Sequence, residues 1–191
     1  LDLPETGVCS IGGSATGARN WVAGNNGRGI KVEGAQSAWI ESNWIGIATG
    51  GTYSIPNVGD GIAVTDAATG ATIVNNVISG NNGQGMRLES GTSGATLVGN
   101  IIGRSPNLAT TLPNASDGIG VYGNGNTIGG LTAGQGNTVS ANSAAGVLIS
   151  GAAVNNQILR NSIFGNGTLG IDLAPSATGV SSPSRNRTSS S

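Results

Sequence analysis

Histidine is absent from the 191-residue chain, which removes the commonest general base and the commonest metal ligand. Cysteine occurs once, at Cys9, so there is no internal disulfide framework. Charged residues make up 9% of the chain and the net charge is −1. A nucleic-acid partner is therefore not expected, since it would need a basic face. No run approaches about 18 unbroken apolar residues, so no membrane span is expected. The chain does not open on a signal-peptide pattern at Leu1, as for a mature chain or an excised segment. No metal ligand set or cofactor motif stands out, and none is expected.

Glycine, by contrast, is abundant at 35 residues. That composition would suggest disorder if the apolar residues were scattered, but they fall at fixed offsets. Three landmarks recur in order. The first is Gly followed by apolar-x-apolar: Gly29-Ile30, Gly61-Ile62, Gly85-Met86, Gly118-Ile119, Gly146-Val147 and Gly170-Ile171. The second is a lone apolar residue: Ile11, Ile40, Ile73, Leu97, Ile128 and Ile158. The third is Asn-x-apolar, beginning at Asn20, Asn43, Asn76, Asn100, Asn137 and Asn161. Residues 71–88 are the plain version of the unit. Elsewhere a basic coil of about 24 residues carries insertions of six or nine residues at fixed places, as loops do on one face of a repeat protein. The longer insertions are 45–61 and 102–118.

Each landmark is too short for a helix and alternates with period 2, so it reads as a strand. Three strands per coil give a roughly triangular section, with coils stacked about 4.8 Å apart. The expected fold is all-β: a single-stranded right-handed parallel β-helix, a solenoid of about six coils of about 24 residues with three short strands each. It covers residues 8–173, with a C-terminal tail or linker over 174–191. Two inward apolar columns are expected, Ile30–Ile62–Met86–Ile119–Val147–Ile171 and Val22–Ile45–Ile78–Ile102–Val139–Ile163. Asn20, Asn43, Asn76, Asn100, Asn137 and Asn161 should form a structural ladder at a bend, where asparagine tolerates left-handed backbone. A second asparagine column (Asn25, Asn81, Asn142, Asn166) is expected only in the four coils with a short return. Cys9 shares the facing of Ile11 and reads as a small buried residue rather than a catalytic thiolate.

The phrases IGGSATGARNWVAGNNGRGIKVEG, ATIVNNVISGNNGQGMRLESG, GNTIGG and SIFGNGTLGIDL resemble the bacterial right-handed parallel β-helix repeat proteins of the pectate-lyase-like superfamily. The resemblance spans residues 8–173. It implies an extracellular or cell-surface protein and a fold that hosts polysaccharide lyases, glycoside hydrolases, tailspikes and adhesins alike.

Three functions are weighed against the residues. A polysaccharide-active enzyme of lyase or hydrolase type needs acids converging in an outward groove. Asp60 and Asp117 occupy equivalent positions at the ends of the long insertions, which favours a turn or cap role. The outward column Lys31, Ala63, Arg87, Gly120, Leu148, Asp172 offers no acid cluster. Binding of a glycan or another protein is favoured instead by outward Trp21, Trp39 and Trp44. The competing account of the stripe Trp21, Trp44, Val77, Ile101 is that a loop, with Tyr53 in it, or another subunit covers it. Ice binding rests on a short outward column, Thr72, Thr96 and Thr127. The Leu3-Pro4-Glu5-Thr6-Gly7 stretch matches a sorting signal but stands in the wrong place for one. The expectation is thus a non-catalytic secreted or surface module with a structural or binding role. Its strand edges are open at both ends, which favours end-to-end or side-by-side homo-oligomers.

Overall fold

The computed structural model describes residues 9–174. The Leu3–Gly7 stretch and the tail beyond Ala174 lie outside the described residues. Six coils follow one another, each of three strands. The first holds β1 (Ser10–Gly12), β2 (Trp21–Val22) and β3 (Ile30–Glu33), and the second β4 (Trp39–Glu41), β5 (Trp44–Ile45) and β6 (Ile62–Thr65). The third holds β7 (Thr72–Val74), β8 (Val77–Ile78) and β9 (Met86–Leu88), and the fourth β10 (Thr96–Val98), β11 (Ile101–Ile102) and β12 (Ile119–Val121). The fifth holds β13 (Thr127–Gly129), β14 (Thr138–Ser140) and β15 (Val147–Ile149), and the sixth β16 (Gln157–Leu159), β17 (Ser162–Phe164) and β18 (Ile171–Leu173). Every third strand pairs in parallel, which gives three six-stranded sheets. The first sheet begins with β1, the second with β2 and the third with β3. This is a parallel β-helix.

The register joins like to like. Ile30, Ile62, Met86, Ile119, Val147 and Ile171 are successive partners in the third sheet. Val22, Ile45, Ile78, Ile102, Val139 and Ile163 are so in the second. Ile11, Ile40, Ile73, Leu97, Ile128 and Ile158 complete the triangle. Between the end coils these columns are buried and form one continuous core.

Two asparagine ladders line the bends. In the first, the side-chain Nδ2 of each asparagine donates to Oδ1 of the next coil's. The distances are 2.8 Å from Asn20 to Asn43, 3.1 Å to Asn76, 3.1 Å to Asn100, 2.9 Å to Asn137 and 2.8 Å to Asn161. The second ladder is also unbroken, contrary to expectation. Asn57 and Asn114, supplied by the long insertions, fill the two missing rungs between Asn25, Asn81, Asn142 and Asn166 at 2.8–3.0 Å. The left-handed backbone lies one residue earlier than expected. Ser42, Asn75 and Arg160 take φ of 60°, 55° and 54° before Asn43, Asn76 and Asn161. That twist turns the next side chain inward, where its amide is satisfied by the coils on either side.

Cys9 is exposed, although Ala38, Ala71 and Ala95 of the same column are buried. It belongs to the first coil, and among the described residues no coil lies beyond it. The landmark glycines are required by spacing. A Cβ at Gly29, Gly61, Gly85, Gly118 or Gly146 would lie 2.6–2.7 Å from the carbonyl oxygen of the corresponding glycine one coil on.

Gly85→Ala is therefore expected to cost about 1–3 kcal/mol by forcing two coils apart, whereas Gly27→Ala, which meets nothing within 4 Å, should change stability little. Ile78→Asn should cost on the order of 2–4 kcal/mol, because it buries an amide with no partner in the apolar column. Urea unfolding followed by circular dichroism measures all three.

Candidate functional site: an aromatic edge and two loops

The short strands β2 and β5 point Trp21 and Trp44 outward from the second sheet, one directly above the other. Their rings meet edge to face, with centroids 6.1 Å apart and planes at 85°, the arrangement that aromatic quadrupoles prefer. The Arg19 guanidinium lies 4.6 Å from the Trp44 ring centroid and donates from Nε to the Ser42 carbonyl at 3.1 Å. Trp44 is thus held from two sides, while Trp21 keeps 48% of its surface exposed. Beside it, the 13–17 loop, Arg19, Trp21 and Ser42 enclose an open hollow of about 350 Å³.

The rest of the stripe is covered. Each long insertion folds into a small hairpin, pinned by antiparallel bridges between Ile47 and Ser54 and between Arg104 and Thr111. Ile47 and Leu112 pack over Val77, with Trp44 and Ile101 at the margins. Val77 is buried as a result. Tyr53, expected in the cover, is 60% exposed; the apolar residues of the hairpins do that work. A second hollow of about 210 Å³ opens between the hairpin tips, walled by Trp44, Gly50–Thr52, Pro106, Asn107 and Thr110. Trp21 and Trp44 therefore border two neighbouring depressions along one edge of the solenoid.

Trp39 does not join this pair. It stands on β4 in the first sheet, exposed, and its Nε1 donates to Glu41 at 3.1 Å. On the same sheet Thr72, Thr96 and Thr127 stand in register, bounded by Trp39 on one side and Gln157 on the other. The threonine array is three ranks deep.

The third sheet carries a polar cluster that its outward column alone does not announce. Arg28 pairs with Asp60 at 3.2 Å and reaches past the second coil to Glu89 at 2.6 Å. Arg87 approaches the same Glu89 at 3.5 Å and lies 4.5 Å from the Tyr122 ring centroid. Gln84 Nε2 donates to Asp117 at 2.8 Å and to the Tyr122 hydroxyl at 3.1 Å. Its amide occupies the space a side chain at Gly120 would need. The two aspartates have the cap role that their equivalence suggests. Asp60 Oδ1 accepts the Gln84 N–H and Asp117 Oδ1 the Ala145 N–H, each from the following coil. Acids and bases do converge outward here, but the aspartates are committed to backbone and side-chain partners, and Glu89 to two arginines. Among the described residues no group of three His, Cys, Asp or Glu is placed to hold a metal ion.

The chain matches no protein-family model, no curated protein and no solved structure. What the site can do therefore has to come from its chemistry. Its exposed apolar edge and shallow hollows suit a ligand with one flat apolar face and a polar rim. At the head of the third sheet, Lys31 lies 2.9 Å from Glu33 and 3.7 Å from Asp66. The Glu33 hydrogen bond holds the Lys31 ammonium above its ordinary range. The Thr65 hydroxyl, 2.9 Å away, together with the nearby Lys31, holds the Asp66 carboxyl below its own. A carboxyl with a lowered value contributes stability above its unfolded pKa and loses it as pH falls through the folded one.

Asp66 should accordingly titrate below the usual carboxylate range by NMR, and Thr65→Val should move it back up toward that range. An unchanged value in the variant would assign the shift to another group.

Proposed function

We propose that this chain is a non-catalytic β-helix module of the bacterial cell surface or exterior that binds glycan along the Trp21–Trp44 edge. The observation that carries it is the half-exposed Trp21 indole, fixed edge-on by Trp44 and set beside the hollow that Arg19 borders. A rigid exposed aromatic loses little entropy on stacking against the apolar face of a sugar ring. The hydroxyls around such a ring would meet the polar rim formed by Arg19 and the backbone of the 13–17 loop. The resemblance of the repeat phrases to those of bacterial β-helix proteins is in keeping with that setting.

A polysaccharide-active enzyme is the second reading, supported by the cluster of Arg28, Arg87, Glu89 and Tyr122 on the third sheet. Hydrolysis would need one carboxyl free to protonate a leaving group and a second across the bond from it. The engaged state of Asp60, Glu89 and Asp117 favours binding over that chemistry.

A glycan array, followed by calorimetry on the best hit, tests the proposal. Trp21→Ala should weaken binding about tenfold or more, as for a central aromatic anchor, while Trp39→Ala leaves it unchanged. Equal binding by wild type and Trp21→Ala, or release of reducing ends from the glycan, would overturn it.

A further inference from the structure

We infer, building on glycan binding along the Trp21 edge, that the sugar seated there is an N-acetylated amino sugar whose acetamido group enters the 13–17 loop. The chain contains that loop twice. Residues 11–20 read IGGSATGARN in the first coil, and residues 128–137 read IGGLTAGQGN in the fifth. The two backbones match at their landmarks. Gly12 and Gly129 take φ of 80° and 89°, and Gly17 and Gly134 take 86° and 83°. The same turn closes each loop. The Ala18 N–H donates to the Ala15 carbonyl at 3.1 Å, and the Gln135 N–H to the Thr132 carbonyl at 3.2 Å.

The loops differ in what fills them. In the fifth coil the Gln135 side chain folds back into its own loop. Its Oε1 accepts the Thr132 N–H at 3.1 Å, and its carboxamide lies where a Cβ at Gly130 would stand. The first coil has Ala18 in place of Gln135. A Cβ at Gly13 would meet only the Ala18 Cβ, at 3.5 Å, and a hollow of about 350 Å³ opens among Gly13–Gly17, Arg19, Trp21 and Ser42. The Ala15 N–H, counterpart of the Thr132 N–H, has no acceptor among the described residues. The Leu131 carbonyl accepts from Arg160 at 2.7 Å. Ser42 stands in the place of Arg160 one coil beyond the first loop, and the matching Ser14 carbonyl is open to a ligand hydroxyl.

The missing side chain identifies the ligand. The fifth coil holds a neutral carboxamide in this loop, and an acetamido group is the same planar amide carried on a sugar. Its carbonyl oxygen can accept the Ala15 N–H as that of Gln135 accepts the Thr132 N–H. Trp21 stands where the fifth coil has Thr138, each directly after a ladder asparagine. The loop without its carboxamide is thus the one flanked by an exposed indole, and a ring stacked on that indole brings a substituent to the loop. Arg19 is turned to the Trp44 ring and the Ser42 carbonyl, so the loop reads the ligand by an amide hydrogen bond rather than by charge. A site built to bond one polar group discriminates against analogues that lack it.

Calorimetry on the whole chain tests this with four probes: the N-acetylglucosamine trimer, the same trimer after de-N-acetylation, the glucose trimer and the galacturonate trimer. The acetylated trimer should bind about tenfold or more tightly than each of the others, as for one well-placed hydrogen bond. Ala18→Gln gives the first loop the side chain that the fifth already holds. It should keep the wild-type melting temperature and weaken binding of the acetylated trimer by a similar factor. If that variant melts lower, NMR on the wild type carries the same test: the Ala15 amide proton should shift with the acetylated trimer and stay still with the glucose trimer. Trp21-dependent binding of the glucose or galacturonate trimer as tight as that of the acetylated one would overturn the acetamido assignment and leave glycan binding at this edge standing. No binding of the acetylated trimer, or a stable Ala18→Gln variant that binds it like wild type, would also overturn the assignment. A glycan array without any Trp21-dependent hit would overturn both.

Discussion

The structure depends on one spacing, the distance between strands of neighbouring coils, fixed by backbone hydrogen bonds at about 4.8 Å. Every column must repeat at that distance. An asparagine amide can then donate to the asparagine of the next coil and satisfy itself, which turns a buried polar side chain from a cost into a tie. The same spacing leaves no room for a Cβ where two bends pass closest, so glycine recurs there. The aliphatic columns fill what remains. The high glycine and asparagine content, which in another arrangement would signal disorder, is the direct consequence of stacking coils in register.

Because each coil repeats these demands, most of the fold was legible from residue offsets. The two expected inward columns and the first ladder stand in the predicted register, residue for residue, and the Ile11 series adds a third inward column. The second ladder was misread because Asn57 and Asn114 sit inside insertions that look like loops. A signal was present: both follow proline, and both precede a landmark glycine by four residues, as Asn25, Asn81, Asn142 and Asn166 do. The insertions leave the solenoid, fold as hairpins over Val77, and return in time to supply a rung. Cys9 was misplaced for a different reason. A column predicts facing, but burial also needs a neighbouring coil, and among the described residues the first coil has one on one side only.

The candidate site was legible only in part. Outward Trp21 and Trp44 follow from period 2, and their stacking follows from the register. Which of the stripe's residues would be covered could not follow, because it depends on where the hairpin residues Ile47 and Leu112 come to rest. The polar cluster of the third sheet was missed since it is made by long side chains, Arg28 above all, that span more than one coil. Long side chains do not stand over their own backbone: Arg28 lies across a coil to reach Glu89, and the Gln84 amide covers Gly120, which is buried. Features that set this chain apart from a plain repeat are therefore found where coils depart from the common unit: the tryptophans, the two hairpins and the side chains that bridge coils.

Hydrogen exchange of side-chain amides, followed by NMR, tests the central claim most directly, since it reads the ladders one rung at a time. The account predicts strong protection for the interior asparagines of both rows, with Asn57 and Asn114 protected as well as Asn81, while exposed Asn82 exchanges freely. Fast exchange at Asn57 and Asn114 beside protected Asn81 would contradict it, for the insertions would then be loops that merely interrupt the stack.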